Sequence, residues 1–198
     1  MCEVAPVLLL ASTSARRREL LLQLGVAHIA RGADLDEARQ IAETPHDYVA
    51  RIASAKASAL RNAHLSLPVL GADTVVVLDG IIYGKPRDRD DALAMLARLS
   101  GREHQVLTAV ALADARGVGL AVNVSAVRFR ALSAAECRDY WDSGEPLDKA
   151  GGYAIQGFAA AFIESLRGSY SAVMGLPLFE TAALLRGAGV PYGRRMHA

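Results

Sequence analysis

An acidic residue stands inside an apolar run, where its charge needs a partner. Asp73 lies within Val69–Leu78, whose continuous β-branched and aliphatic residues predict a strand buried on both faces. Asp79-Gly80 then predicts a two-residue hairpin turn, with 81–83 returning antiparallel. Because burying even a neutral polar group without a hydrogen bond costs roughly 2–7 kcal/mol, Asp73 requires a cation, a metal ion or a proton. The alternative is a structural carboxylate that accepts hydrogen bonds from nearby backbone amides.

Arginines follow the first predicted strand at the end of a helix where positive charge is unfavourable. The apolar residues 7–11 indicate a buried strand. Ser12 follows this strand, and Ser14 can cap the helix that begins after it. Arg16 and Arg17 then fall in the first turn, where the helix dipole disfavours cations by about 0.3–1 kcal/mol. Free amides, hydroxyls and guanidiniums together favour a bound anion. The pattern therefore predicts a phosphate-binding cradle, and arginines that only extend into solvent are the less favoured interpretation.

A lysine interrupts the apolar stripe of the second predicted helix. This helix starts at Thr44-Pro45 and runs to about Asn62, and Lys56 projects through the middle of its apolar stripe. Such a lysine either extends to solvent or meets a buried anion. The acidic turn at 34–37 precedes this helix. Its carboxylates could hold a divalent ion together with Asp73 or form a solvated loop, and spacing alone does not decide between the two.

Composition limits the classes of protein and partner. The 198 residues are 52% hydrophobic and 22% charged, which is typical of one globular domain. A net charge of +1 gives no global field to attract nucleic acid or an anionic membrane. Cys2 and Cys137 form no CxxC motif, which argues against a disulfide framework and favours a reducing cytoplasm. No segment approaches the roughly 20 apolar residues of a membrane span, and 192–198 predict a mobile basic tail.

The remaining pattern alternates strands and helices. A glycine-rich segment at 144–157 suits close approach of a ligand to the backbone, although Tyr153, Ile155 and Phe158 look too apolar for an ordinary surface loop. A second segment of small residues, 168–175, predicts a loop. The other predicted elements are a weak strand at 26–33, strands at 105–113 and 120–132, and helices at 88–99, 133–142 and 176–185. Residues 159–166 predict a strand or a short helix, with the strand favoured.

Several common catalytic motifs are absent from the sequence. Gly84-Lys85-Pro86 is not a Walker A loop, because that pattern requires an earlier glycine where Asp79 stands and a Ser or Thr where Pro86 stands. There is no HxxxH pair, no GxSxG elbow and no dinucleotide fingerprint. What remains is a set of arginines, Lys56, Lys85 and carboxylates, with no nucleophile beside a base. This set is typical of magnesium-assisted hydrolysis of a phosphoanhydride.

These motifs, taken in order over nearly the whole chain, resemble the Maf nucleoside triphosphate pyrophosphatases. The resemblance implies an α/β fold, an elongated mixed β-sheet flanked by helices and related to inosine triphosphatases. It implies a single domain over 1–198 with two lobes around a central cleft. The motifs that carry it are Ser12-Thr-Ser-x-Arg16-Arg17-x-x-Leu20-Leu21, Asp36-Glu37, Gly71-Ala-Asp73-Thr74, Gly84-Lys85-Pro86, Asp148-Lys149-Ala-Gly and Gly175-Leu-Pro177.

The resemblance also implies a reaction and its residues. The family cleaves between the α- and β-phosphates, with Mg²⁺ or a similar divalent ion such as Mn²⁺ or Co²⁺. Asp73 is then the proton acceptor for water or a metal ligand, and Glu37 helps to hold the ion. The cations that neutralise the triphosphate are Arg17, Lys56 and Lys85, and the substrate-binding residues are Ser12, Ser14, Arg16, Thr74, Lys149 and Gln156.

Three positions follow the family's division by substrate. Arg16, Thr74 and Gln156 match the branch that acts on dTTP and UTP, and a Gln amide suits the donor and acceptor edge of thymine or uracil. Ala15 stands where the family usually has Pro, which changes the stiffness of the turn and not its polar groups. The alternatives are a pyrophosphatase for a methylated or otherwise modified purine nucleotide, and a non-catalytic nucleotide-binding regulator of septum formation. A homodimer is one candidate for the oligomeric state, which the sequence does not decide.

Overall fold

The computed structural model describes residues 5–63 and 66–193. Within them the strands form one mixed sheet in the order β2-β1-β3-β5-β6-β7, with β4 paired to β3. The elements in chain order are β1 (Leu8–Leu10), α1 (Ala15–Gln23), β2 (His28–Ala30), α2 (Pro45–Ala63), β3 (Val69–Leu78), β4 (Ile81–Tyr83), α3 (Arg89–Leu99), β5 (Glu103–Asp114), β6 (Gly117–Phe129), α4 (Ala134–Asp142), β7 (Ile163–Arg167), α5 (Tyr170–Met174) and α6 (Leu178–Gly187). The predicted α/β class, with a mixed sheet and helices, is confirmed.

Residue contacts divide the chain into two compact units. Unit 1 comprises 1–73, 108–123 and 175–198, and unit 2 comprises 74–107 and 124–174. Unit 1 therefore contains β1, β2, α1, α2 and α6, whereas unit 2 contains β4, α3, α4, β7 and α5. The central cleft implied by the family resemblance stays a prediction.

In unit 1, three strands run parallel; β1 and β2 end at the same level, whereas β3 continues to Leu78. Leu10 of β1 pairs with Ala30 of β2 on one side and with Leu70 of β3 on the other. The segments that follow these three residues carry Ser12, the acidic turn at 34–37 and Asp73. In open α/β sheets, ligands bind outside the carboxyl ends of parallel strands, so the register collects these polar groups at one edge of unit 1.

Local sequence signals determine where helices α1 and α2 of unit 1 begin. Ser14 caps α1, since its Oγ accepts a hydrogen bond from the backbone N–H of Arg17, and Gly25 follows the helix with φ +67°. Thr44 Oγ1 accepts from Asp47 N at 3.1 Å at the start of α2. The predicted starts of both helices are confirmed. So is the buried stripe of α2, which consists of Val49, Ile52, Ala53 and Leu60.

Unit 2 has an aromatic core beneath a tight hairpin. Asp79 and Gly80 both have positive φ, 53° and 75°, as a type I′ turn requires, and they join β3 to β4 as predicted. In the core, the ring of Phe129 lies 4.9 Å from that of Tyr153, with perpendicular edge contact. The predicted capping box between Ser133 and Glu136 at the start of α4 is also present.

Two local predictions were wrong and one was partly right. Residues 159–166 were expected to form a strand in preference to a short helix, and the segment divides into a 3-10 helix at Phe158–Phe162 followed by β7. Phe158 itself is 63% exposed and does not join the core. The loop expected at 168–175 contains α5, which begins because Ser169 Oγ accepts from the backbone N–H of Ala172. A five-residue helix is too short to give a periodic signal in the sequence.

Some sequence-based expectations concern residues that the structure does not describe. Cys2 lies outside the described residues. So do residues 194–198, which make up most of the predicted basic tail. Gly193 is described, and its N–H donates to the carbonyl oxygen of Leu24 at 2.7 Å. Cys137 is a buried thiol in α4, and burial raises its pKa. Across 5–63 and 66–193, none of the helices combines the length and the apolar character needed to cross a bilayer.

Candidate active site

Asp73 is buried in β3 and is held by a lysine. Lys56 Nζ of α2 lies 2.9 Å from Asp73 Oδ1, and both side chains are about nine-tenths buried. The same ammonium lies 2.9 Å from Glu37 Oε1, whose side chain is half exposed. The sequence left Lys56 between solvent and a buried anion, and the structure places it against the anion. Removing one member of such a buried pair costs about 3–5 kcal/mol, so the two residues depend on each other.

A glycine allows the helix to come close enough for this contact. Gly71 and Asp73 lie on the same face of β3 because side chains alternate along a strand. A Cβ on Gly71 would lie 2.3 Å from the carbonyl oxygen of Ala53 and 2.7 Å from the backbone nitrogen of Ala57. Helix α2 therefore rests on the bare backbone of Gly71, and Lys56 reaches Asp73 from there.

The environment of Asp73 makes its proton affinity unusual. Burial raises its pKa above the ordinary value of 3.8, while the charges of Lys56 and then Arg17 act to lower it. Desolvation is the larger influence, so the carboxyl is more basic than a solvated aspartate. Perturbed carboxyls of this kind concentrate at functional sites, although ion pairs of purely structural role perturb pKa values too.

Arg17 joins α1 to the segment before α6. Its Nε donates to the carbonyl oxygen of Gly175 at 2.8 Å, and its Nη1 donates to Ser12 Oγ at 3.3 Å. Ser12 Oγ also accepts from the backbone N–H of Ser14. Burial lowers the pKa of the guanidinium and the charge of Asp73 raises it. These contacts bring Ser12, Ser14 and Arg17 together, with Arg16 partly buried beside them, and the binding of phosphate by this group stays a prediction.

The loop that carries Glu37 is fixed by side chains that the sequence analysis missed. Tyr48 OH of α2 donates to the carbonyl oxygen of Glu37 at 3.0 Å, and Arg51 Nη2 donates to that of Ala38 at 3.1 Å. Arg51 also forms a two-pronged pair with Glu43, at 2.6 and 2.8 Å, which lowers the pKa of Glu43 to about 2. Helix α2 therefore positions both Lys56 and the backbone of Glu37. No motif marks Tyr48, Arg51 or Glu43 in the sequence.

In unit 2, Lys85 follows the β3–β4 hairpin and is exposed. Its Nζ lies 3.9 Å from Asp148 Oδ1, a solvated pair worth no more than about 1 kcal/mol. The N–H of Gly151 donates to the carbonyl oxygen of Gly84 at 2.9 Å, which docks the glycine-rich segment on the hairpin. Lys149 Nζ donates to the carbonyl oxygen of Leu147 at 2.8 Å.

Gln156 and Thr74, the other positions expected to contact substrate, are also in unit 2. The Gln156 side chain is exposed between the buried Ile155 and Ala159, and Thr74 is half-buried in β3. Unit 1 thus brings together Asp73 and its predicted partners, and unit 2 holds the rest. The unit 1 group consists of Ser12, Ser14, Arg16, Arg17, Glu37, Lys56 and Asp73, and the unit 2 group consists of Thr74, Lys85, Lys149 and Gln156.

Comparison with known proteins identifies the family. The family model described as Maf-like protein matches residues 7–188. The chain belongs to the Maf family. This confirms the resemblance inferred from the motifs, which all lie within the matched range.

Maf relatives of high similarity share one name, dTTP/UTP pyrophosphatase. The relative from Hahella chejuensis is 52% identical over 186 residues, covering 92% of each chain. That from Bordetella parapertussis is 53% identical, covering 93% of this chain and 94% of its own. That from Cupriavidus pinatubonensis is 54% identical, covering 91% and 96%. Among solved structures, the Staphylococcus aureus Ham1 protein has a TM-score of 0.44 and 13% identity, covering 62% of this chain and 71% of that one.

Two carboxylates of this Maf chain lie close enough together to be considered as ligands of a divalent ion. Asp73 and Glu37 each place one oxygen 2.9 Å from the same ammonium, so the two groups are neighbours. Within the described residues, no three His, Cys, Asp or Glu side chains form a group that could hold a metal ion. Mg²⁺ is commonly held by one or two carboxylates together with substrate phosphates. Two neighbouring carboxylates are compatible with this mode of binding, and the metal site stays a prediction.

Proposed function

We propose that this chain is a nucleoside triphosphate pyrophosphatase that hydrolyses dTTP and UTP to the nucleoside monophosphate and pyrophosphate. The observation that carries the proposal is the buried Asp73 carboxylate, whose pKa is raised by burial. It lies 2.9 Å from the ammonium of Lys56, with Glu37 and Arg17 nearby. Relatives more than 50% identical over nine-tenths of both chains bear the name dTTP/UTP pyrophosphatase, which supports this choice of substrate.

In the proposed reaction, Asp73 accepts a proton from the attacking water. The water oxygen bonds to one of the two phosphorus atoms that flank the scissile bridge, the bridging P–O bond breaks, and its electrons stay on the leaving phosphate. Asp73 and Glu37 are the residues proposed to hold Mg²⁺, or alternatively Mn²⁺ or Co²⁺, which supplies charge neutralisation to the phosphates. Arg17 and Lys56 provide fixed positive charge for the developing anion.

Other roles are proposed from the family resemblance. Lys85 neutralises phosphate charge, and Lys149 binds substrate. Gln156 offers an amide N–H and an amide oxygen to the paired carbonyl and N3–H of thymine or uracil. Its exposure leaves both groups available to a ligand. Arg16 and Thr74 accompany Gln156 in the branch that acts on pyrimidine nucleotides.

A nucleotide panel tests the substrate assignment. Pyrophosphate release should be fastest with dTTP and UTP, compared with CTP, GTP and 7-methyl-GTP, and should stop when EDTA removes divalent ions. Gln156→Glu replaces a donor by an acceptor and should lower kcat/KM for dTTP about tenfold, equivalent to one lost hydrogen bond of about 1.4 kcal/mol. A preference for 7-methyl-GTP would instead support the modified-purine alternative. Nucleotide binding without turnover would support the division regulator.

The pH dependence of turnover tests the role of Asp73. This carboxyl must be ionised to act as a base or a metal ligand, so kcat/KM, which reports the ionisations of the free enzyme, should fall as pH drops through its pKa. Because burial raises that pKa above 3.8, the fall should begin at a higher pH than a solvated aspartate would give. The positive charge of Lys56 is the strongest influence that lowers the pKa of Asp73. Lys56→Met removes this charge and should move the acid limb to higher pH. Lys56→Arg keeps the charge and should leave the limb in place. An acid limb at the same pH in wild type and in Lys56→Met would contradict the assignment.

The cellular setting is part of the same proposal. Two cysteines without a CxxC motif and a net charge of +1 are consistent with a cytoplasmic enzyme that has no nucleic acid or membrane partner. A homodimer and a link to septum formation are proposed from the family resemblance alone. Size-exclusion chromatography with light scattering measures the first directly.

A further inference from the structure

We propose that Glu145 is a positioning residue for nucleobase recognition, because it fixes the short segment that presents Gln156. The inference rests on the proposed function, in which Gln156 reads the base. It adds a residue that none of the motifs contains and assigns it to selectivity between nucleotides. The contacts that carry it all lie within unit 2.

The carboxylate of Glu145 holds the backbone two and three residues after Gln156. Its Oε2 accepts from the N–H of Phe158 at 2.8 Å, and its Oε1 accepts from the N–H of Ala159 at 3.3 Å. Oε1 also accepts from the hydroxyl of Tyr140 at 2.7 Å. One carboxylate therefore receives three donors, which a neutral amide with a single acceptor oxygen cannot do.

The same network holds the backbone two residues before Gln156. Tyr140 OH accepts from the N–H of Ala154 at 3.1 Å while it donates to Glu145. Burial, followed by the hydrogen bond to Glu145, raises the pKa of Tyr140, so the phenol keeps the proton that it donates. Tyr140 belongs to α4, is 1% exposed and packs in the aromatic core of unit 2, so its hydroxyl is held in a fixed position. Both sides of Gln156 are thus tied to one Tyr140–Glu145 pair.

Gly157 leaves room for this arrangement. A Cβ at position 157 would lie 2.3–2.4 Å from all three atoms of the Glu145 carboxyl group. Real Cβ atoms do not make such contacts, so any other residue would displace either the carboxylate or the segment. Residues 153–155 and Ala159 are buried while Gln156 is exposed. The buried residues on both sides therefore anchor the segment, and the side-chain amide of Gln156 is exposed to solvent.

This geometry matters more for selectivity than for the chemical step. A pair of hydrogen bonds to a base edge requires the amide to be held in place, since a displaced amide loses discrimination first. The phosphate-binding and proton-accepting groups of unit 1 are not part of this network. Loosening the segment should therefore weaken hydrolysis of dTTP and leave hydrolysis of poorly matched nucleotides almost unchanged.

The experiment compares Gly157→Ala and Glu145→Gln with wild type, using kcat and KM for dTTP, CTP and GTP. Both variants should raise KM for dTTP and reduce its selectivity over CTP and GTP about tenfold. Gly187→Ala is the matched control, because a Cβ there meets no atom within 4 Å, and it should keep the wild-type ratio. Thermal unfolding checks that each variant is folded. If Gly157→Ala does not fold, Tyr140→Phe removes a single hydroxyl of the same network and should lower the ratio likewise.

The outcomes separate this inference from the proposed function. Equal losses for all three nucleotides, with the selectivity ratio unchanged, would mean that Glu145 supports the fold only, and would overturn the inference. A wild-type protein that releases no pyrophosphate, or shows no pyrimidine preference, would overturn the proposed function and the inference with it. A reduced ratio in the variants of a selective wild type would support both.

Discussion

Asp73→Asn is expected to reduce pyrophosphate release from dTTP by about 10²–10⁴-fold, the usual contribution of a positioned general base. Asn has nearly the same shape, but it neither accepts a proton at neutral pH nor supplies an anionic ligand. Lys56 would keep Glu37 as an ionic partner at 2.9 Å. The fold should therefore survive, and the loss should appear in kcat at saturating nucleotide.

The matched control for this substitution is Asp90→Asn. Asp90 is exposed in the first turn of α3 and belongs to unit 2. Its replacement removes the same charge from the surface and should leave kcat within twofold of wild type. Turnover of Asp73→Asn equal to that of the control, with both proteins folded, would remove Asp73 from the reaction.

Gly71→Ala is expected to cause a large loss of stability. Its Cβ would lie 2.3 Å from the carbonyl oxygen of Ala53 and 2.7 Å from the nitrogen of Ala57. Backbone atoms cannot rotate away, so α2 must shift from β3. Overpacking of this kind costs about 3 kcal/mol or more, and for a chain of this size that lowers Tm by roughly 6–12 °C.

Calorimetry or denaturant unfolding measures the effect of Gly71→Ala, with Gly187→Ala as the control in open space. The shift of α2 should also lengthen the Lys56–Asp73 contact, so kcat should fall in the fraction that remains folded. A Gly71→Ala protein as stable as the control would mean that α2 does not depend on this close approach.

Local signals in the sequence predicted most elements because each rests on chemistry within a few residues. The β3–β4 hairpin required positive φ at Asp79 and Gly80, and the dipeptide indicated it. Ser14 and the Ser133–Glu136 box marked helix starts for the same reason. Where the signal was short, as in the five-residue helix α5, the pattern misled.

Pairings between distant segments were harder to predict. Asp36 and Glu37 are adjacent acids, and spacing did not separate them. In the structure, Asp36 Oδ1 accepts from the N–H of Ala38 within its own turn, whereas Glu37 reaches Lys56. That choice depends on Tyr48 and Arg51 gripping the loop backbone, contacts that only the folded helix α2 creates. The polar groups could thus be nominated from sequence, but their partners depended on packing.

The bond from Arg17 to Gly175 has a consequence for how the protein is made. These residues are 158 positions apart, and the N–H of Gly193 likewise reaches back to Leu24. Domains emerge from the ribosome beginning with the N-terminus, at about 5–20 residues per second. The guanidinium at position 17 must therefore wait for 158 further residues to be translated before its carbonyl acceptor exists. A polypeptide that stops before position 175 lacks this anchor.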